Sequence, residues 1–171
     1  CEIEIDTLKE PIGKQDQYAA AFGGLNVIRF LTTGEVKVEP INIQPSVYIQ
    51  LQDNLLLFYT GITRNASDVL SDQKHNLINK QVKFDSILRM TELVEKAIKN
   101  LCESDLDEFG KTLDENWNLK KSLSNKISNT NIDDIYSMAK KNGAVGGKLL
   151  GAGGGGFLLF YCRKDNQNTL R

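Results

Sequence analysis

A carboxylate, a neighbouring cation and a run of glycines are the residues of this 171-residue chain whose types and spacing could do chemistry. The carboxylate is Asp16, in "GKQDQ", two residues after Lys14 and in the first turn of an expected helix. A helix N-terminus favours a negative group, and a nearby ammonium keeps a carboxylate ionised, as a general base must be. By residue type alone, Asp16 could equally do no more than stabilise the helix end. The glycine run is "GKLLGAGGGGFLLFYC", residues 147–162. Glycine is the costliest residue to immobilise, so a run of it at an ordered place needs a reason. A linker would have polar flanks; here "KLL" and "FLLFYC" pin both ends in apolar sequence. A loop held this way can aim successive N–H groups at one anion, or it can be a tight structural turn. It is not a Walker A loop, because no Gly-Lys-Ser/Thr follows. A carboxylate at an attacking hydroxyl and donors for phosphate charge are what phosphoryl transfer uses.

Those groups must be positioned by a folded core, and the composition allows one. The chain is 40% apolar and 25% charged, as globular proteins are. A net charge of −1 gives no reason to expect capture of nucleic acid or of an anionic membrane. No apolar stretch reaches the roughly 20 residues that span a bilayer, and no secretory signal is present. Cys1, Cys102 and Cys162 lack metal-ligand spacing, which points to reduced thiols and a cytoplasmic setting. The single His75 excludes a two-histidine metal site, argues against a Ser-His-Asp triad, and reads as a surface residue.

"CEIEID" alternates apolar and polar like an interior strand, and a chain entering it directly at Cys1 reads as a piece of a longer protein. "PIGKQDQYAAAFGG" reads as a short helix stopped by Gly23 and Gly24. "LNVIRFL" turns through "TTG" into "EVKVEPINI" as a strand pair, "VYIQLQ" repeats the alternation, and "LLLFYTG" reads as a covered strand. From about Ser67 the period becomes helical. Ile87, Met90, Val94, Ala97, Ile98 and Leu101 form one stripe, and Leu106, Phe109, Leu113 and Trp117 form another. Ser104 with Asp107, and Thr130 with Asp133, have capping-box spacing, and Ile132, Ile135 and Ala139 stripe a last helix that stops near "KNG". The glycines then lead into "FLLFYC" as a central strand. The class is α+β, an antiparallel sheet packed with a helical layer.

"GKQDQYAAAFGG", followed far downstream by "GGKLLGAGGGGFLLF", resembles the C-terminal half of a GHMP-superfamily small-molecule kinase. Within that superfamily, "LLLFYTGITRNASDVLSDQ" and "FGKTLDENWNLKKSLSNKISN" most resemble the D-glycero-D-manno-heptose 7-phosphate kinases. The likeness runs from about Leu8 to Cys162. It implies that residues 1–40 are the tail of the N-terminal kinase domain and that residues 41–171 are the C-terminal domain. It also implies ATP- and Mg²⁺-dependent phosphorylation of the anomeric hydroxyl of a heptose 7-phosphate, giving the 1,7-bisphosphate. By the resemblance Asp16 is the catalytic aspartate, with Lys14 beside it. Arg64, Lys120, Lys121 and Gln17 are expected at the sugar phosphate. Lys148, Gly151, Ala152, Gly153, Gly154, Gly155 and Gly156 match the motif that supports the phosphates. Arg64 could also be a plain surface arginine, and Trp117 falls on a core stripe.

The nucleotide-phosphate loop of that superfamily, a Pro-x-x-x-Gly-Leu-Gly-Ser-Ser-type segment opening a helix, is absent from these residues. Without it there is no helix N-terminus to cradle ATP and no evident Mg²⁺ ligand set. The expected partners are therefore a sugar phosphate, the missing N-terminal half and, as a further option, a second copy in a homodimer. These residues alone are expected to be inactive, and the face toward the missing half to be apolar. Two alternatives stay open: a kinase for a fucose- or galactose-type sugar, and a non-catalytic module that binds a phosphometabolite. Asp16 is expected at a cleft rim, near nitrogens of Lys14 or Arg64.

Overall fold

The computed structural model describes residues 1–63, 69–72, 75 and 81–170, the side chains of 81–83 apart. They fall into two compact units, Cys1–Ile43 and Gln44–Arg171, and each is described by itself.

The first unit opens with a surprise. Glu2–Thr7 is a single wide helical turn, with Leu8 N–H donating to Ile3 C=O at 2.9 Å. The strand expected for "CEIEID" is thus corrected. Alternation alone does not make a strand, and no ladder partner among the described residues meets this largely exposed segment. Helix α1, Gln15–Phe22, ends at Gly23 and Gly24, whose φ of 61° and 70° explain why glycine stops it. Strands β1, Asn26–Phe30, and β2, Val36–Pro40, pair antiparallel, with Ile28 opposite Val38. Tyr18 of α1 meets Phe30 edge to face at 5.9 Å.

The second unit begins with helix α2, Pro45–Asn54, where a strand was expected for "VYIQLQ". Pro45 stands in the first turn, where its missing N–H costs nothing. Val47, Leu51 and Asn54, spaced four and three apart, are the buried side. Strand β3, Leu55–Tyr59, follows at once. Residues 69–72 are helical and His75 is exposed, as expected. Helix α3 is Gln81–Cys102, α4 is Leu106–Leu123 and α5 is Thr130–Lys141. Strands β4, Gly146–Leu149, and β5, Phe157–Tyr161, flank the glycine loop, and a short helix α6, Gln167–Leu170, comes last. The sheet order is β3-β5-β4, all antiparallel, so "FLLFY" is the central strand, as read.

One face of this sheet sends Phe58, Leu149, Leu158 and Phe160 into a core with Trp117, Ile127, Ile132 and Tyr136. Trp117 has no exposed surface, in keeping with its place on the α4 stripe. The α3 stripe is shifted at one position: Leu93 is buried and Val94 is 45% exposed. The caps also lie one residue away from those expected. Asp105 accepts from Glu108 N–H at 3.1 Å, and Asn129 accepts from Ile132 N–H at 3.0 Å. An Asp or Asn directly before the helix reaches N3 as well as Ser or Thr does, so spacing alone could not choose.

Helix α4 seats closely on the sheet edge because glycine meets glycine there. A Cβ on Gly146 would stand 2.0 Å from the Gly110 carbonyl oxygen. Gly146→Ala is expected to cost roughly 3 kcal/mol through overpacking, seen as a fall in Tm of about 6–12 °C for a chain of this size. An unchanged Tm would show that the helix is free to move away.

Candidate functional site

The glycine loop is ordered and shaped by carbonyls from two neighbouring segments. Gly154 N–H donates to Ile127 C=O at 2.7 Å, and Gly156 N–H donates to Ile62 C=O at 2.9 Å. Gly156 C=O accepts from both the N–H and the Oγ1 of Thr60, each at 2.9 Å. Across the base, Leu150 N–H donates to Phe157 C=O at 2.9 Å. These bonds leave an alternation: the amides of Gly153 and Gly155 have no partner among the described residues. A series of backbone amides held this way is the material of an anion nest.

The glycines are required sterically as well. Gly151, Gly153, Gly154 and Gly156 have φ of 69°, 118°, 77° and 97°. A Cβ on Gly153 would lie 2.9 Å from Ile127 Cα, and one on Gly155 would lie 2.6 Å from Ile62 O. The loop therefore cannot be a mobile linker: its form is fixed by Thr60, Ile62 and Ile127. Sequence reading missed these three residues. The only signal was Gly61 directly after the β3 run, and its φ is 73°.

Three expected cations surround this unit's loop differently. Lys120 Nζ donates to Gly151 C=O at 2.5 Å, closing the loop's first corner onto α4. Lys121 lies 3.2 Å from Asp133 and over the ring of Trp117, 5.7 Å from its centroid, so its charge is engaged within the fold. Lys148, in β4, has no anionic partner among the described residues, and burial pushes its ammonium below the ordinary lysine value.

Asp16, Lys14 and Gln17 belong to the first unit. Asp16 and Lys14 are exposed, and no ion pair or hydrogen bond joins them. Gln17 Nε2 donates to Glu4 Oε2 at 2.5 Å. Arg64 lies outside the described residues. Among the described residues no group of three or more His, Cys, Asp or Glu is arranged to hold a metal ion.

A groove of about 590 Å³ lies at the other end of the sheet, lined by Asp53, Asp107, Tyr161, Arg163 and Lys164 among others. Four of its charges are matched in pairs: Asp107 with Arg163, and Asp53 with Lys164 at 2.8 Å. The Arg163 guanidinium bonded to Asp107 holds that carboxyl below its ordinary value of 3.8. A carboxyl depressed in the folded state contributes stability that is complete above the ordinary value and is lost as pH falls through the lower folded one. Asp107→Asn is therefore expected to flatten the acid side of a stability–pH curve below about pH 4. A curve as steep as that of the unsubstituted protein would show that the pair contributes nothing.

Comparison with known proteins adds identity to this geometry. Residues 97–171 match the family model for the C-terminal domain of the GHMP kinases. The chain is 36% identical over 172 aligned residues to D-glycero-alpha-D-manno-heptose 7-phosphate kinase of Campylobacter jejuni, covering 99% of this chain and 50% of that protein. Mevalonate kinase of Leishmania major, solved with R-mevalonate, superposes with a TM-score of 0.73 at 25% identity, covering 91% of this chain and 45% of that one. A D-glycero-D-manno-heptose 1-phosphate kinase from Bacteroides thetaiotaomicron superposes with a TM-score of 0.61 at 26% identity, covering 99% and 44%. The chain thus spans about half the length of these relatives. No helix among the described residues is long and apolar enough to cross a membrane.

Proposed function

Because this chain carries the C-terminal domain of a GHMP kinase, we propose that it is the C-terminal part of an ATP-dependent sugar kinase acting on the anomeric hydroxyl of D-glycero-D-manno-heptose 7-phosphate. The observation that carries the reading is the 36% identity to a heptose 7-phosphate kinase across 99% of the chain. The pinned loop supports it physically, since amides held without protein partners suit phosphate oxygens.

In this reading Asp16, with Lys14 near it, takes the proton of the anomeric hydroxyl. The freed oxygen bonds to the γ-phosphorus of ATP as the bond to ADP breaks, and the products are the 1,7-bisphosphate and ADP. The amides of Gly153 and Gly155 stabilise charge on the transferring group, in a loop that Lys120 and β4 hold in place. Arg64, Lys121 and Gln17 are assigned to the sugar and its 7-phosphate, and Lys148 to support of the loop region. Residues 1–40 act as the end of the N-terminal domain and residues 41–171 as the C-terminal domain. The Mg²⁺ that accompanies ATP would be held largely by phosphate oxygens and water, with one or two carboxylates at most. These residues alone turn nothing over, because the nucleotide-phosphate loop lies outside them.

The test is ADP release by the full-length protein across heptose phosphates, fucose, galactose and mevalonate, with ³¹P NMR to locate the new phosphate. Turnover of heptose 7-phosphate with phosphate appearing at C1 is expected. Preference for fucose or galactose would replace the substrate, and no turnover of any acceptor would remove the kinase reading.

A further inference from the structure

The turn between α4 and α5, residues 124–128, reaches the glycine loop. Helix α4 ends at Leu123, and Ser124 is extended, with φ of −159° and ψ of 142°. Ile127 N–H donates back to Ser124 C=O at 3.2 Å, which closes the turn, and the Ile127 side chain is fully buried. The Ile127 backbone meets the loop twice. Its C=O accepts from Gly154 N–H, and its Cα stands beside the place where a Cβ on Gly153 would come. The position of this one residue therefore decides how the loop's amides are used.

Two serines strap the turn to carboxylates. Ser128 Oγ donates to Asp133 Oδ1 at 3.0 Å, and Asp133 lies in the first turn of α5, so that strap is local. Ser124 Oγ donates to Asp72, 52 residues earlier in the chain, and accepts from Lys126 N–H at 3.1 Å. Ser124 is 2% exposed, and a buried hydroxyl is costly unless it is bonded. Asp72 is itself held in place: Val69, three residues before it on the same helical face, is buried in the core. Asp72 also stands 3.5 Å from Lys126, but that ammonium is half-exposed, and an ion pair in water contributes little.

We propose that Asp72 is a positioning residue for the glycine loop. By holding Ser124 it fixes the Ile127 backbone against Gly153 and Gly154, and so keeps the loop in the form that leaves the amides of Gly153 and Gly155 for an anion. The identity of that anion as a phosphate of ATP rests on the kinase reading above; the coupling of Asp72 to the loop does not. A purely structural Asp72 would pin residues 69–72 to the core, and its loss would loosen the whole unit rather than one side of the loop.

The experiment is amide hydrogen exchange in the full-length protein, labelled with ¹⁵N-glycine and read by NMR. Gly154 reports the bond to Ile127, and Gly156, bonded to Ile62 C=O, is the internal reference. Ser124→Ala and Asp72→Ala are each expected to speed exchange at Gly154 at least about tenfold relative to Gly156. Asp72→Asn keeps an acceptor oxygen for Ser124 and loses only the charge, so it should return Gly154 to within about threefold of the unsubstituted protein. If Ser124→Ala does not fold, the two Asp72 variants carry the comparison. Equal acceleration at both glycines would make Asp72 a plain stabilising residue, and an unchanged Gly154 would uncouple it from the loop; either overturns the proposal. Exchange in Asp72→Asn as fast as in Asp72→Ala overturns the hydrogen bond as the link. For turnover, Asp72→Ala is expected to raise KM for ATP about fivefold or more, while KM for the sugar phosphate stays within about twofold. Equal rises in both, or none, overturn the phosphate role. Absence of turnover in the unsubstituted protein would sink the kinase reading alone, since the exchange comparison needs no activity.

Discussion

If the proposed kinase function holds, Asp16→Asn in the full-length protein is expected to lower kcat by roughly 10²–10⁴, the usual worth of a positioned acid–base group. The substitution keeps the size and the hydrogen-bonding reach of the side chain but removes its ability to take a proton. KM for the sugar phosphate should change much less, because a base acts on the transition state rather than on ground-state binding. The fold should also be indifferent. Asp16 is exposed, makes no side-chain cap to α1 and pairs with nothing among the described residues. Steady-state kinetics together with a thermal melt separate the two roles. Near-normal turnover would reduce Asp16 to a carboxylate at a helix end, and a lowered Tm with normal kcat would make it structural.

Alanine in the glycine loop gives the second large effect, and here stability and activity fall together. Gly153→Ala meets two penalties at once: φ of 118°, and a Cβ 2.9 Å from the backbone of the buried Ile127. Strain of about 1–2 kcal/mol from the left-handed conformation adds to overpacking of about 1–3 kcal/mol. Gly155→Ala meets only the second, against the Ile62 carbonyl at 2.6 Å, and should cost less. Because the amide of Gly155 has no partner among the described residues, its variant is the sharper test of phosphate binding. On the proposed function, Gly155→Ala in the full-length protein is expected to raise KM for ATP about tenfold or more as the loop is pushed off its position. Thermal melts and ATP titrations check both. Full activity in both alanine variants would refute the cradle and leave a structural turn.

Much of this was legible in the residues themselves. Gly23 and Gly24 stop α1 because no other residue takes positive φ cheaply, and that rule is local. The stripe through Leu106 and Trp117 read correctly as a core face, because a helical period records which side is buried. The apolar flanks of the glycine run predicted an ordered loop for the same reason: Leu149, Leu158 and Phe160 had to be covered, and they are.

What the tertiary structure decided is non-local. "VYIQLQ" carries a period of two and, with Pro45 before it and Asn54 after it, also a helical one. Burial of Val47 and Leu51 chose the helix. "CEIEID" alternates as a strand does, but a strand needs a partner and none among the described residues meets it. In the loop, sequence placed the glycines, but only the fold could say which amides are spent. Ile62 and Ile127, far apart in the chain, bring their carbonyls to Gly156 and Gly154 and so leave the amides of Gly153 and Gly155 without a partner among the described residues. Lys148 shows the same division. Its charge is written in the sequence, whereas its lack of an acid among the described residues follows from the strands it lies beside. Residue type and period fix what a segment can be. Partners distant in sequence fix which backbone and charged groups remain unpaired, and those are the groups that can act.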